Sequence, residues 1–232
     1  MARFKWLMFD IDNTLLDFSA ASKDALWKTY NDVGVECNSQ LYETYLSVNH
    51  ANWTAFEQGA LTAERLRVKR FEELFEATNI RPIVPEQFSV MYLENLVRCS
   101  RFYNGVPGLL EDLGRKYAIS AITNGLREVQ RPRIERLGLT KHFDSIIVSD
   151  EIGVGKPATA FFEHAVSSLP LSFNRDEILV IGDNIIADVG GANLFGCKSC
   201  WISHGRSNNS DIEPEYIIST ISELPLLLKF LN

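Results

Sequence analysis

Six short apolar runs, alternating with helical patterns over a chain of 232 residues, constrain the fold more than any other feature of this sequence. They are Phe4 to Phe9, Ala118 to Thr123, Ser145 to Val148, Ile178 to Ile181, Ser199 to Ile202 and Tyr216 to Ile218, all rich in β-branched or aromatic residues. Near-continuous apolar strands suit a sheet covered on both faces, and strands alternating with helices form parallel βαβ units. The intervening helices are marked by their ends. Pro107 stands in the first turn of a helix reaching Arg115, Gly138 closes one over Val129 to Leu137, and Thr159 to Leu169 carries a helical pattern. Gly196 closes Asp188 to Phe195 in the same way, and Ser222 can cap the last helix. The expected class is α/β with a parallel sheet.

The alternation fails between Ser19 and Arg101, where helical spacing dominates. Ala25, Leu26, Trp27, Tyr30 and Val33 form one stripe, and Leu41, Tyr45, Leu46 and Trp53 a second. Leu66, Phe71, Leu74 and Phe75 form a third, and Met91, Tyr92, Leu93 and Leu96 a fourth that starts after Pro85. An insertion of this size after the first strand should form a separate helical subdomain over one end of the sheet. The expected division is residues 1–17 and 103–232 for the α/β core and 18–102 for the helical insertion.

Composition excludes several classes of partner. With 46% hydrophobic and 23% charged residues, the chain matches an ordinary globular protein. A net charge of −7 argues against a nucleic-acid polymer or an anionic membrane as partner, and leaves room for a small anionic substrate at a locally positive site. The first residues lack the pattern of a signal peptide and no run is long enough for a membrane span, so a cytoplasmic location is expected. Cys37, Cys99, Cys197 and Cys200 are then expected as reduced thiols. Cys197 and Cys200 lie around a strand, where residues three apart face opposite sides, which disfavours a shared metal or redox role. Composition is silent on oligomeric state.

Polar residues at the ends of four strands carry the chemistry. Asp10 and Asp12 lie just beyond the first strand in Phe9-Asp10-Ile11-Asp12-Asn13-Thr14, where ligands bind in open α/β sheets. If the chain leaves extended geometry, both carboxylates can face one pocket, one to attack and one to handle protons. Thr123-Asn124-Gly125 ends the second strand with a hydroxyl and backbone N–H groups suited to phosphate oxygens. Lys156, in Gly155-Lys156-Pro157, offers a compact cation after the third. Gly182-Asp183-Asn184, with Asp188 further on, places carboxylates where Mg2+ could bind after the fourth. Taken singly, each also reads as a turn, a surface lysine or a helix-terminal acid.

Taken in order, these segments resemble the DxDxT, T/S-N, K-P and GDxxxxD motifs of the haloacid dehalogenase superfamily, over essentially the whole chain. The resemblance implies a Rossmann-like core, a helical cap that closes over the site, and Mg2+ as cofactor. It implies Asp10 as nucleophile and metal ligand, and Asp12 as general acid and base with its backbone carbonyl on the metal. Thr123, the Asn124 backbone and Lys156 would bind the phosphoryl group, Asp183 would ligate Mg2+, and Asp188 would support Asp183 or Lys156. Ala158-Thr159 departs from the acidic or polar residue many relatives carry after Lys-Pro, outside the chemical step.

Asp12 favours phosphoryl chemistry over dehalogenation, because dehalogenases of the superfamily lack an acid there. The implied function is a Mg2+-dependent phosphatase acting on a small-molecule phosphate monoester through an aspartyl-phosphate. Alternatives are a sugar-phosphate phosphatase or phosphomutase, a 2-haloacid dehalogenase and a non-enzymatic phospho-acceptor domain. The segments Asn49 to Trp53, Phe56 to Thr62, Arg70-Phe71 and Ser199 to Ile202 are similar to bacterial pyrimidine 5′-nucleotidases of the superfamily. That similarity implies substrate contacts from Asn49, Trp53 and Arg70, although Trp53 and Phe71 equally suit a helical core.

Overall fold

The computed structural model describes residues 3–169 and 174–231. By its internal contacts the chain divides into two compact units, residues 1–18 with 101–232, and residues 19–100.

The first unit holds one six-stranded sheet. Its strands are β1 (Trp6–Phe9), β2 (Ala118–Thr123), β3 (Ser145–Val148), β4 (Ile178–Gly182), β5 (Lys198–Ile202) and β6 (Tyr216–Ile218). Their spatial order is β3-β2-β1-β4-β5-β6, all parallel, with Phe9 level with Ala121 on one side and Ile181 on the other. This is the doubly wound Rossmann-like order. It reverses direction at β1, and the crevice beyond the strand ends there is where such sheets bind ligands.

The period of two along β1 explains why the run is apolar throughout. Leu7 and Phe9 pack on one face, Trp6 and Met8 on the other. The chain's helices are α1 (Phe18–Asp32), α2 (Ser39–Glu57), α3 (Ala63–Thr78), α4 (Pro85–Cys99), α5 (Val106–Gly114), α6 (Arg127–Arg136), α7 (Ser149–Ile152), α8 (Thr159–Ser167), α9 (Gly191–Phe195) and α10 (Leu224–Leu231). Leu110 and Leu113 of α5 and Leu224 and Leu228 of α10 cover the Leu7 face. Phe161 and Phe162 of α8 and Phe195 of α9 cover the Trp6 face. All four cysteines are free, with Cys200 in the first cluster and Cys197 in the second.

Two helix ends differ from the sequence expectation. The segment expected as a helix from Asp188 opens at Asn184, whose side chain accepts from the amides of Ile186 and Ala187 and starts a π-helical turn over Ile185–Gly190 before α9. The last helix is not capped by Ser222. Thr220 and Glu223 form a reciprocal capping box on a short 3-10 turn that leads into α10.

The second unit is helical, consisting of α1 from Ser19 onward with α2, α3 and α4. Asn38 caps α2 and Thr62 caps α3 through their side chains, and Pro85 takes the first position of α4. Its centre is aromatic: Phe71 packs against Tyr45, Phe88 and Tyr92 with centroids 5.1–6.3 Å apart. Leu46, expected on the buried stripe of its helix, is exposed, because the stripe of α2 follows Leu41, Tyr45 and Asn52 instead. No helix among the described residues is long and apolar enough to cross a membrane.

Candidate active site

Segments beyond the ends of β1, β3 and β4 bring Asp10, Lys156, Asp183 and Asp188 together. Asp10 directly follows β1, and its amide donates to the Ile181 carbonyl of β4 at 2.9 Å. Beyond it the chain turns sharply at Asn13, which has a left-handed φ of 56° that asparagine tolerates better than most residues. Across this turn Asp12 forms an isolated β-bridge with Leu16.

Lys156 is the centre of the cluster. Its ammonium donates to Asp10 Oδ1 at 2.7 Å, Asp188 Oδ1 at 2.6 Å and the Ile122 carbonyl at 2.8 Å. A lysine has three N–H donors, so all three are engaged. As placed here, Lys156 would act on an anionic substrate through its charge and not through a spare donor. Asn124 fixes the backbone that carries it: its Oδ1 accepts from Lys156 N and its Nδ2 donates to Lys156 O, both at 2.8 Å. The Asn124 side chain is thus directed at the lysine loop.

Asp10, Asp183 and Asp188 form a carboxylate cluster whose candidate ligand oxygens all lie within 4.8 Å of one another. Asp188 is also held by the Asn184 amide, which donates to its Oδ2 at 3.0 Å. Gly182 makes room for it, since a Cβ at position 182 would lie 2.1 Å from Asp188 Oδ2. Arg206 donates to Asp183 Oδ2 at 3.1 Å, and Trp201 Nε1 donates to the Asp183 carbonyl at 2.9 Å.

The electrostatics follow from having more buried acids than cations. Burial raises Asp10 well above the usual carboxylate range; Lys156 opposes the shift, while Asp188, Asp183 and Asp12 add to it. Burial pushes Asp183 up to about 6, with Asp188 adding and Arg206 and His204 opposing. Burial would lower Lys156, but its pairs with Asp10 and Asp188 outweigh this and hold it raised and charged. Three clustered carboxylates, two of them raised by burial, make an oxygen-only donor set that fits a hard divalent cation such as Mg2+.

Asp12 does not join that cluster through its carboxylate. Its Oδ1 pairs with Arg133 Nη2, and its Oδ2 accepts from Gln130 Nε2 at 3.0 Å. Gln130 Nε2 also donates to Thr123 Oγ1 at 2.6 Å. Gln130, Arg133 and Arg206 were not among the residues singled out from sequence. The first two share the buried face of α6 with Val129 and Ile134, a placement that its largely polar sequence does not signal.

In the helical unit, Asn49 and Arg70 meet, with Arg70 Nη1 donating to Asn49 Oδ1 at 3.1 Å. Arg70 is buried at 3% exposure over the rings of Phe71 and Tyr92, and its Nε and Nη2 have no hydrogen-bond partner among the described residues. Trp53 is half-buried and meets Phe56 edge-on at 5.6 Å.

A parallel sheet in doubly wound order, with carboxylates and a buried lysine beyond its strand ends, defines an α/β protein of the Rossmann-like class. Residues 7–202 match the family model described as haloacid dehalogenase-like hydrolase, and the chain belongs to that family. It is 30% identical to the HAD-hydrolase YfnB of Bacillus subtilis, over 100% of this chain and 98% of the relative. It is 29% identical to the pyrimidine 5′-nucleotidase YjjG of Escherichia coli, over 97% of this chain and 98% of the relative. The pyrimidine 5′-nucleotidase PynA of Streptococcus pneumoniae is also 29% identical, over 95% and 93%. The crystal structure of YfnB bound to magnesium, which reveals interdomain movement, is similar with a TM-score of 0.91 at 29% identity, covering 98% of this chain and 99% of that one.

Proposed function

We propose that this chain is a cytoplasmic Mg2+-dependent phosphatase that hydrolyses phosphate monoesters through Asp10, and that pyrimidine nucleoside 5′-monophosphates are its substrates. The observation that carries the reading is the buried carboxylate and lysine centre, which suits attack on an anionic phosphoryl group. Full-length similarity to two pyrimidine 5′-nucleotidases supports the choice of substrate.

In this reading Asp10 attacks phosphorus, the ester oxygen leaves with a proton from Asp12, and the aspartyl-phosphate is then hydrolysed by water that Asp12 deprotonates. Lys156 offsets the repulsion between the Asp10 carboxylate and the phosphoryl charge. Thr123 and the Asn124 backbone bind phosphoryl oxygens. Asp10, Asp183 and the Asp12 carbonyl would hold Mg2+, with Asp188 steadying Lys156, and the metal would supply further charge neutralisation. Asp12 supports ester hydrolysis over dehalogenation, since a halide leaves without a proton.

Substrate choice in this reading lies with residues 18–102 acting as a cap. The unpaired Nε and Nη2 of buried Arg70 support a ligand-facing role, because buried donors call for an acceptor and a pyrimidine carries carbonyl oxygens. Trp53 offers a ring for stacking, worth about 1–3 kcal/mol per base and so about tenfold in selectivity. The test compares kcat/KM for UMP, dUMP and dTMP with that for glucose 6-phosphate and β-glucose 1-phosphate, with Mg2+ present. The nucleotides are expected to be preferred about tenfold or more. Equal or better efficiency on the sugar phosphates would remove the nucleotidase assignment and leave a general phosphatase.

A further inference from the structure

Both oxygens of the Asp12 carboxylate are engaged by one helix, α6, through two residues outside the four family motifs. We propose that Arg133 and Gln130 are positioning residues for Asp12, setting the orientation in which its carboxyl meets the leaving oxygen of the substrate. The inference rests on the reading of Asp12 as the proton-handling group.

The three side chains hold one another, and Arg133 Nη1 has no hydrogen-bond partner among the described residues. Arg133, at 0% exposure, pairs through Nη2 with Asp12 Oδ1 and donates from Nε to Gln130 Oε1 at 2.6 Å. That bond fixes the amide: its oxygen faces Arg133, so its nitrogen faces Asp12 Oδ2 at 3.0 Å and Thr123 Oγ1 at 2.6 Å. Behind the pair, the Arg133 guanidinium lies 5.7 Å from the centre of the Phe18 ring. Arg133 and Gln130 are three residues apart on α6, which places them on one face.

A second observation shows that the backbone is shaped around this contact. A Cβ at position 125 would lie 2.4 Å from Gln130 Nε2, so the turn after β2 must be glycine for the amide to reach Asp12. Burying a guanidinium is costly unless its partner geometry is good. Here the partner is a carboxylate whose side chain is still 23% exposed, so it is tethered at the edge of the site and not sealed within the core. Each carboxylate oxygen has a lone-pair site beyond the one its α6 donor takes, so the tether leaves a site that can carry the proton Asp12 gives to the leaving oxygen. Proton transfer depends on such placement, and a carboxyl free to rotate about its two side-chain torsions would spend little time in the productive geometry.

The test uses substrates that differ in their need for a proton. Departure of an alkoxide requires one, whereas p-nitrophenolate leaves without it, and kcat/KM reports the steps up to departure. For Arg133→Met and Gln130→Met, kcat/KM for an alkyl monoester is expected to fall about tenfold to a hundredfold, within what a placed general acid contributes. For p-nitrophenyl phosphate the expected fall is about threefold or less, far below the general-acid contribution. Asp12→Asn should give the same pattern more deeply. Thermal unfolding checks that each variant is folded, and if Arg133→Met is not, Arg133→Lys carries that arm with an intermediate loss. Equal losses on both substrates, or no loss on either, would overturn the positioning role. Retention of alkyl-ester turnover by Asp12→Asn would instead remove the reading of Asp12 itself.

Discussion

Replacing Lys156 with methionine keeps most of the side-chain volume and deletes the cation that bridges Asp10 and Asp188. The side chains of Lys156, Asp10 and Asp188 are 2%, 9% and 2% exposed, so water cannot take over the lost interaction. Removing one partner of a buried ion pair costs about 3–5 kcal/mol, because the other charge is left uncompensated. At about 2–4 °C per kcal/mol for a chain of this size, the metal-free variant should unfold roughly 6–20 °C below the parent. The deficit should depend on pH. Asp10 is raised by burial even with Lys156 present, and a carboxyl raised in the folded state gives stability that is full at low pH and lost as pH rises through its folded value. Without the lysine this loss deepens, so the deficit should be larger at pH 8 than at pH 5. Adding Asp188→Asn should recover part of it, since the two sites share one network. The assay is near-ultraviolet circular dichroism or calorimetry with a chelator present. A deficit under about 2 °C at pH 8, or one that does not change with pH, would refute the claim that Lys156 compensates these two carboxylates.

Asp10→Asn should fold like the parent and lose nearly all turnover, as read by phosphate release, because an amide is a far poorer nucleophile. Mg2+ should raise the melting temperature of the chelator-treated protein, by the equivalent of about 2.7 kcal/mol at a hundred times its Kd. That gain should shrink between pH 7.5 and pH 5, where protons compete for Asp183, raised to about 6 by burial. Arg70→Leu should lower the preference for UMP over glucose 6-phosphate about tenfold while the melting temperature holds or rises, since an imperfectly paired buried cation adds little stability. An unchanged preference would assign Arg70 to the packing of the helical unit.

The strands were legible because a parallel strand buried on both faces must be apolar throughout: β2, β3 and β6 coincide with their runs. Asp10, Lys156, Asp183 and Asp188 were legible because each follows a recognisable strand, and strand ends in such a sheet share one crevice. Helix beginnings were harder. Asn184 opens its segment four residues before Asp188 through a side-chain bond to two amides, a competition between turn and helix that local composition does not decide. Gln130 and Arg133 were missed for a different reason. In Arg127-Glu128-Val129-Gln130-Arg131-Pro132-Arg133 the polar residues outnumber the apolar ones, so the helix reads as a solvated surface element unless the partner across the fold is known. Arg206 reaches Asp183 from a loop after β5, and its placement depends on the path of that loop.

The polar interiors of the two units differ in a way that bears on specificity. In the α/β unit, the buried polar groups at the strand ends are tied to one another: Lys156 spends all its donors, Asn124 spends both ends of its amide on one residue, and Gln130 links Asp12, Thr123 and Arg133. Such a network is rigid and, apart from Arg133 Nη1, which has no hydrogen-bond partner among the described residues, its named groups are paired without a particular leaving group. In the helical unit, Arg70 keeps two donors and Asn52 its Oδ1 without hydrogen-bond partners among the described residues, although both residues are buried. An interior donor left unpaired is a standing cost that a purely structural arrangement could remove with an apolar side chain. On the nucleotidase reading that cost is offset when a base presents carbonyl oxygens and an N–H to these groups. Discrimination between monoesters must come from contacts to the leaving portion, and open hydrogen-bonding capacity is what such contacts need.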